Sequence, residues 1–319
     1  MRLVFMGTPE FAVPSLRAIV KAGFTVCAVV TQPDRPKGRG MRLTPPPVKA
    51  CAQELQLPVY QPEKVRDATF VQQFQDLAPD CVAVVAFGQL IPEILLQTPP
   101  LGFINVHPSL LPKYRGATPI QQALLDGVTE TGVSTMYLDM GMDTGDVILQ
   151  VKTRVDADEN AGDLHDRLAL VGADLLVETL RLVEAGDAPR IPQDHAKATV
   201  THKLKENDGH LDWQHSAVAL VNRIRAFTPW PSAYTYYNTE RLKVLKARAM
   251  PSAKSVHELH PGGILSISEE GIQVVCSEGI LELQLVQPQN GRVMSAAAYA
   301  HGKRLRTGDS FRSRQSSSK

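Results

Sequence analysis

The feature that most constrains this chain is an alternation in its first half. Runs that are apolar at nearly every position (Leu3–Met6, Val26–Val30, Val82–Phe87 and Phe103–Val106) are separated by helix-length stretches. A strand wet on one face alternates apolar with polar residues, whereas continuous β-branched runs belong to strands covered on both faces. The spacing predicts helices over Phe11–Lys21, Val48–Leu55, Asp67–Leu77 and Pro119–Asp126, with Gly23 and Gly127 as stop signals. Strand–helix–strand order then calls for right-handed crossovers and a parallel sheet. A further strand pair, Val133–Leu138 and Val147–Val155, surrounds a turn containing Gly141 and Gly145, and a long amphipathic helix follows over about 162–185. The expectation for residues 1–188 is an α/β domain with a doubly wound, mainly parallel, Rossmann-like sheet.

The pattern changes beyond that helix. Residues 187–210 are polar and broken by Pro189, Pro192 and Asp208-Gly209, and read as a linker over 189–208. After a helix near Ser216–Ala226 come short segments punctuated by Gly and Pro: Ala233–Tyr237, Leu242–Ala247, Gly263–Ile267, Gly271–Cys276 and Ile280–Val286. These predict a small antiparallel, OB-like β-barrel over 209–312. The Ser-rich, charged tail 313–319 is expected to be disordered. A length of 319 residues fits two domains better than one core.

Composition narrows the class. Hydrophobic residues at 43% and charged residues at 21% are those of a soluble globular protein. The longest apolar run, Cys81–Phe87, cannot cross a bilayer. Thr8-Pro9-Glu10 interrupts Leu3–Met6 before a signal-peptide core could form. The four cysteines are scattered, and Cys27 and Cys81 lie in strand-like runs. They read as buried, inert thiols, which points to a reducing, cytoplasmic setting. A net charge of +1 hides an asymmetry: residues 1–200 carry −5 and residues 201–319 carry +6. A basic second part suits either a polyanionic partner or a merely solubilising surface.

Open parallel sheets bind ligands beyond the carboxyl ends of their strands. Those ends read Gly7-Thr8-Pro9, Thr31-Gln32-Pro33, Phe87-Gly88-Gln89 and Asn105-Val106-His107. No G-x-G-x-x-G or G-x-x-x-x-G-K-[ST] fingerprint occurs, which argues against a dinucleotide or P-loop site. There is no G-x-S-x-G nucleophile either. Asn105 and His107, two apart on a strand, project to the same side. The Pro108-Ser109-Leu110-Leu111-Pro112 segment should form a rigid apolar wall beside them, suited to a flat heteroaromatic ligand. Met140-Gly141-Met142-Asp143-Thr144-Gly145-Asp146 adds carboxylates in a Gly-flanked turn. Singly, these read as a turn cap, a structural histidine and a solvated hairpin. Together they supply an oxyanion donor, a proton carrier and a carboxylate to set the imidazole's charge. His257-Glu258-Leu259-His260 lacks zinc-helix spacing and runs into Pro261-Gly262-Gly263, so a surface loop and no metal are expected.

Asn105-Val106-His107-Pro108-Ser109-Leu110-Leu111-Pro112, followed 36 residues after His107 by Asp143 in Met-Asp-Thr-Gly, resembles the signature of folate-dependent formyltransferases. The resemblance implies Asn105, His107 and Asp143 as the catalytic triad and 10-formyltetrahydrofolate as one-carbon donor. It implies a donor pocket of Ser109, Leu110, Leu111 and Pro112 facing Phe87, Gly88, Leu90 and Ile91. Arg225-Ala226-Phe227-Thr228-Pro229-Trp230-Pro231 is similar to an element shared by the tRNA-acting and amino-sugar-acting branches. The stretch Gln32–Pro45 separates these, because it resembles the loop that methionyl-tRNA formyltransferases insert at the acceptor end of tRNA. On that resemblance Arg35, Lys37, Arg39 and Arg42 are expected to contact methionyl initiator tRNA, with Gly38 and Gly40 giving flexibility. Lys303, Arg304 and Arg306 form a second candidate tRNA surface. The expected function is N-formylation of that aminoacyl-tRNA for translation initiation by a monomer, with a nucleotide amino-sugar formyltransferase as the alternative.

Overall fold

The computed structural model of the chain describes residues 1–38, 40–251 and 259–312. From the N-terminus it runs β1 (Arg2–Gly7), α1 (Val13–Lys21), β2 (Thr25–Val30), β3 (Arg35–Lys37), β4 (Arg42–Thr44), α2 (Pro47–Glu54), β5 (Val59–Tyr60), α3 (Ala68–Asp76), β6 (Cys81–Val85) and α4 (Glu93–Leu96). There follow β7 (Phe103–His107), β8 (Arg115–Gly116), α5 (Pro119–Leu125), β9 (Glu130–Tyr137), β10 (Val147–Arg154), α6 (Ala161–Ala185) and β11 (Val200–Thr201). The remainder supplies α7 (Ala217–Ala226), β12 (Ala233–Tyr237), β13 (Glu240–Met250), β14 (Ile264–Ile267), β15 (Ile272–Val275), β16 (Ile280–Pro288), β17 (Met294–Ser295) and α8 (Ala296–Lys303). The chain divides into two units. The first holds Met1–Pro119, Glu130–Arg154 and His165–Thr201; the second holds Ile120–Thr129, Val155–Leu164 and the described chain from His202.

In the first unit seven strands pair in the order β10-β9-β7-β6-β1-β2-β5. The five from β7 to β5 are parallel; β9 runs against β7, and β10 against β9. Every residue of β6 and of Leu3–Met6 is buried, which is why these runs carry no polar alternation. The chain steps outward from β1 to β2 and β5, then returns to β6 on β1's other side, so the strand order reverses between β1 and β6. The Thr8 hydroxyl donates to the Phe87 carbonyl at 2.8 Å and ties the carboxyl ends of those two strands together. Burial pushes the Cys81 thiol up to about 12, as expected of an inert packing residue.

The apolar stripe of α6 (Leu168, Ala169, Ala173, Leu176, Leu180) is buried. Gly172 permits a close approach, since a Cβ there would stand 2.9 Å from Val106 Cγ1 on the strand that carries the candidate site. The Gly172→Ala variant should lose about 1–3 kcal/mol to overpacking, offset by up to about 1 kcal/mol of helix propensity. A lowered melting temperature in a thermal scan checks the sign.

Two sequence expectations change here. Residues 189–201, expected to be a linker, are hydrogen-bonded into the first unit: Ile191 pairs with Val147, and β11 pairs in parallel with β8. Polar composition hid this because the bonds are made by backbone, which every residue carries. The stretch 32–48, expected to be flexible, contains an antiparallel hairpin in which Arg35 faces Thr44 and Lys37 faces Arg42. Asp34 fixes its base, accepting from Lys49 at 2.8 Å and Gln61 at 2.7 Å; the Gln61 bond, then Lys49, holds its carboxyl below the usual range.

In the second unit the order is β12-β13-β16-β15-β14, with β17 on β16. The outer strands are joined by residues 310–312, to which the sequence assigns no strand. Ser310 bridges Gly263, Arg312 bridges Tyr236, and the Phe311 N–H donates to the Gly262 carbonyl at 2.8 Å. This closes the sheet into a barrel around Trp213, Leu220, Ile224, Val244, Leu283 and Phe311. Helix α8 is also unanticipated: its buried face is only Ala296, Tyr299 and Ala300, too small a stripe to stand out in the pattern. The expected tail 313–319 and the pair His257-Glu258 lie outside the described residues.

Candidate active site

Strand β7 lies inside the sheet, with Asn105 opposite Val84 of β6 and Met136 of β9, and His107 opposite Ser134. Alternation along β7 puts Asn105 and His107 on the same side of the strand. Asn105 is half-buried, and among the described residues its amide makes no hydrogen bond. It is a rigidly carried donor and acceptor with both functions available.

His107 is only 4% exposed. Its Nε2 lies 2.9 Å from the Tyr114 carbonyl. A carbonyl can only accept, so Nε2 carries a proton and Nδ1 is the nitrogen left for chemistry. Nδ1 lies 3.7 Å from Asp143 Oδ2. That is too long for a hydrogen bond and too short for a water in line between them. A group touching both must sit to one side, where Nδ1 can take a proton from it and the carboxylate can stabilise the imidazolium so formed.

Asp143 is gripped at both ends. Its carboxylate accepts from the Gly116 N–H at 2.7 Å, and its carbonyl from Gln193 Nε2 at 2.9 Å. It sits at φ +55°, in the left-handed region, which such anchoring holds against a cost of roughly 1–2 kcal/mol. Asp139 ties the turn internally by accepting from Gly141 N–H and the Thr144 hydroxyl at 2.9 and 2.6 Å. Gly145 is obligatory, since a Cβ there would stand 1.9 Å from the Tyr137 carbonyl.

The eight residues expected at a donor pocket separate into two groups. Gly88 and Leu90 are exposed, Leu90 by 83%, while Leu110 and Pro112 are half-buried. Phe87, Ile91, Ser109 and Leu111 are buried; Phe87 and Ile91 pack among core residues, and Leu111 packs on Met136 and Val147. Ser109 spends its hydroxyl on the Lys113 carbonyl at 2.6 Å, and its own carbonyl accepts from Ser134 at the same distance. Its hydroxyl and carbonyl are therefore engaged within the protein and shape the loop.

Among the basic residues, Arg35 pairs with Glu63 at 3.2 Å on the surface, worth at most about 1 kcal/mol and readily exchanged for a phosphate. Arg42 is exposed on β4, Lys37 lies on β3, and Arg39 falls outside the described residues. In the second unit Lys303 ends α8 and donates to Glu240 at 2.5 Å, Arg304 follows at φ +55°, and Arg306 is exposed. The sequence reading missed Tyr114, Arg115, Gly116 and Gln193. The first three directly follow the apolar wall and could have been suspected; Gln193 carries no local signal.

Among the described residues no cluster of His, Cys, Asp and Glu could hold a metal ion, and no helix is long and apolar enough to cross a membrane. The formyl transferase family model matches residues 1–180, and the model of that family's C-terminal domain matches residues 203–304. A methionyl-tRNA formyltransferase of Syntrophus aciditrophicus is 46% identical over 96% of this chain and 97% of its own length. That of Symbiobacterium thermophilum is 47% identical over 98% and 95%. An N-formyltransferase from Helicobacter canadensis, solved with folinic acid and dTDP-3-aminofucose, shares the fold at a TM-score of 0.63 and 18% identity, covering 88% of this chain and 98% of that one. HypX from Aquifex aeolicus, solved with tetrahydrofolic acid, does so at 0.60 and 16%, over 94% and 47%. The chain belongs to the formyl transferase family, among the methionyl-tRNA formyltransferases.

Proposed function

We propose that this protein transfers the formyl group of 10-formyltetrahydrofolate to the α-amino group of methionyl initiator tRNA in the cytoplasm, as a monomer and without a metal. The likeness to methionyl-tRNA formyltransferases, at 46% identity across 96% of the chain, carries this reading. The arrangement of Asn105, His107 and Asp143 suits the chemistry. A free α-amine titrates near about 7.7–8.0, and esterification lowers it, so the nucleophile is available uncharged at neutral pH. The reduced folate supplies the electrophilic formyl carbon. The free amide of Asn105 stabilises the oxygen that gains charge as the amine adds, and Nδ1 of His107 takes up the proton that the amine sheds, so that the protonated ring stabilises it too. His107 then passes that proton to the folate nitrogen as its bond to the formyl carbon breaks, and Asp143 offsets the positive charge the imidazolium carries in between. Gly88, Leu90, Leu110 and Pro112 hold the flat donor against the buried support of Phe87, Ile91 and Leu111.

The hairpin bearing Arg35, Lys37 and Arg42, together with Arg39 in the same stretch of sequence, and the surface with Lys303, Arg304 and Arg306 take the tRNA. Arg42→Ala should raise KM for tRNA about tenfold or more, a hydrogen bond from a charged group being worth about 1.5–3 kcal/mol. KM for the folate should stay put; steady-state kinetics with each substrate varied checks the split, and a collapse of folate affinity would move the hairpin to the donor site. The test of the function itself is formyl transfer offered in parallel to methionyl initiator tRNA, methionyl elongator tRNA and a nucleotide amino sugar. Selective modification of the initiator tRNA is the expected result. Transfer to the sugar alone would retain the triad and overturn the acceptor.

A further inference from the structure

Behind the Asp143 turn lies a buried polar chain that the proposed chemistry does not use. Arg115 is 6% exposed and Gln193 8% exposed. Both Nε and Nη2 of Arg115 donate to Gln193 Oε1, at 3.1 and 2.8 Å. The guanidinium also donates to Nδ1 of His195 at 3.2 Å from Nη1. With its oxygen taken, the Gln193 amide turns its NH2 to two carbonyls, Asp143 O at 2.9 Å and Gly145 O at 2.7 Å. The orientation is fixed by chemistry. A flipped amide would set its oxygen against two carbonyl oxygens and its NH2 against a cation.

The same short strand controls the other end of Asp143. Arg115 and Gly116 form β8, and the Gly116 N–H is the donor to the Asp143 carboxylate. Strand β8 is in turn set by β11, since the Thr201 hydroxyl donates to the Arg115 carbonyl at 3.1 Å. A Cβ on Gly116 would meet the Thr201 carbonyl at 2.6 Å, so the packing allows no side chain there. One rigid unit thus grips Asp143 by its carboxylate and, through Arg115 and Gln193, by its backbone.

We infer that Gln193 is a positioning residue for the formyl transfer: oriented by Arg115, it holds the left-handed Asp143 in the register that places its carboxylate beside Nδ1 of His107. The inference rests on the role proposed for Asp143. Gln193 touches neither reactant, so its loss lowers turnover and leaves substrate affinities nearly unchanged. Gln193→Glu is the informative change, because it keeps size and a partner for Arg115. It sets an anionic oxygen against the Asp143 and Gly145 carbonyls and pushes the turn away. Displacements on the order of 1 Å in such a constellation lower rates by as much as about 10²-fold.

The experiment is a kinetic double-mutant cycle with full-length Gln193→Glu, Asp143→Asn and the double variant, with thermal melts in parallel. Expected is a fall in kcat of about 10- to 10²-fold for Gln193→Glu, with both KM values within about threefold and the melting temperature held. In the Asp143→Asn background the Gln193 change should add nothing, because it acts only through that carboxylate. Independent, multiplying losses in the double variant would overturn the inference, as would unaltered kcat in Gln193→Glu. Should the melting temperature fall enough to explain the loss, Gln193→Met, which removes the two carbonyl bonds without adding charge, takes its place; unaltered kcat there overturns the inference too. Full turnover by Asp143→Asn would instead overturn the role of Asp143 on which it stands.

Discussion

Replacing His107 by alanine should lower the turnover of formyl transfer by about 10²–10⁴-fold. His107 is only 4% exposed, with Nε2 committed to the Tyr114 carbonyl and Nδ1 left beside Asp143. No other imidazole or amine is placed at that point by the described residues, so nothing substitutes for the proton it moves. Loss of the ring also removes the hydrogen bond to the Tyr114 carbonyl, costing about 0.5–1.5 kcal/mol of stability. Turnover must therefore be read on protein shown by circular dichroism to be folded. The two substrates should still bind, because the ring offers little surface to either. Activity close to that of the unaltered enzyme would remove His107 from the chemistry.

The second large effect falls on the barrel. Phe311→Ala should destabilise the second unit by about 3–5 kcal/mol, the usual cost of emptying a buried aromatic site. Phe311 is 2% exposed, stacks on Trp213 with ring centres 6.1 Å apart, and lies edge-on to Tyr237 at 6.0 Å. It is also the centre of the three residues that join β12 to the residue preceding β14. Removing it loosens the closure and the core together. Amide hydrogen exchange should accelerate at Tyr236, Ile264 and Arg312, whose N–H groups are bonded across that seam. Unchanged protection there, with an unchanged melt, would mean the barrel is held without the bridges made by residues 310–312.

These sites show where the sequence was readable. The buried runs at Leu3–Met6 and Cys81–Val85 had to be central strands, because only a strand covered on both faces can be apolar at every position. Asn105 and His107 were visible as a pair because strand periodicity is strict. The hairpin at 35–44 was visible as basic but not as a strand pair, since three-residue strands leave no period to detect. The Ser109 hydroxyl looked available and is in fact spent on Lys113. Whether a polar group faces a ligand or its own loop depends on geometry that residue type does not carry.

The sequence by itself determined the α/β layering, the second antiparallel unit, the strand that bears the chemistry and the charge asymmetry. Each of these follows from local periodicity and residue type, which act over a few neighbours. Tertiary structure alone decided that Nδ1 and not Nε2 of His107 is free. It also decided that Asp143 is gripped from Gly116 and Gln193, 27 and 50 residues away, and that Phe311 closes the barrel. Backbone carbonyls and N–H groups make most of those contacts. Since every residue carries them alike, no sequence pattern marks which ones the fold will bring together.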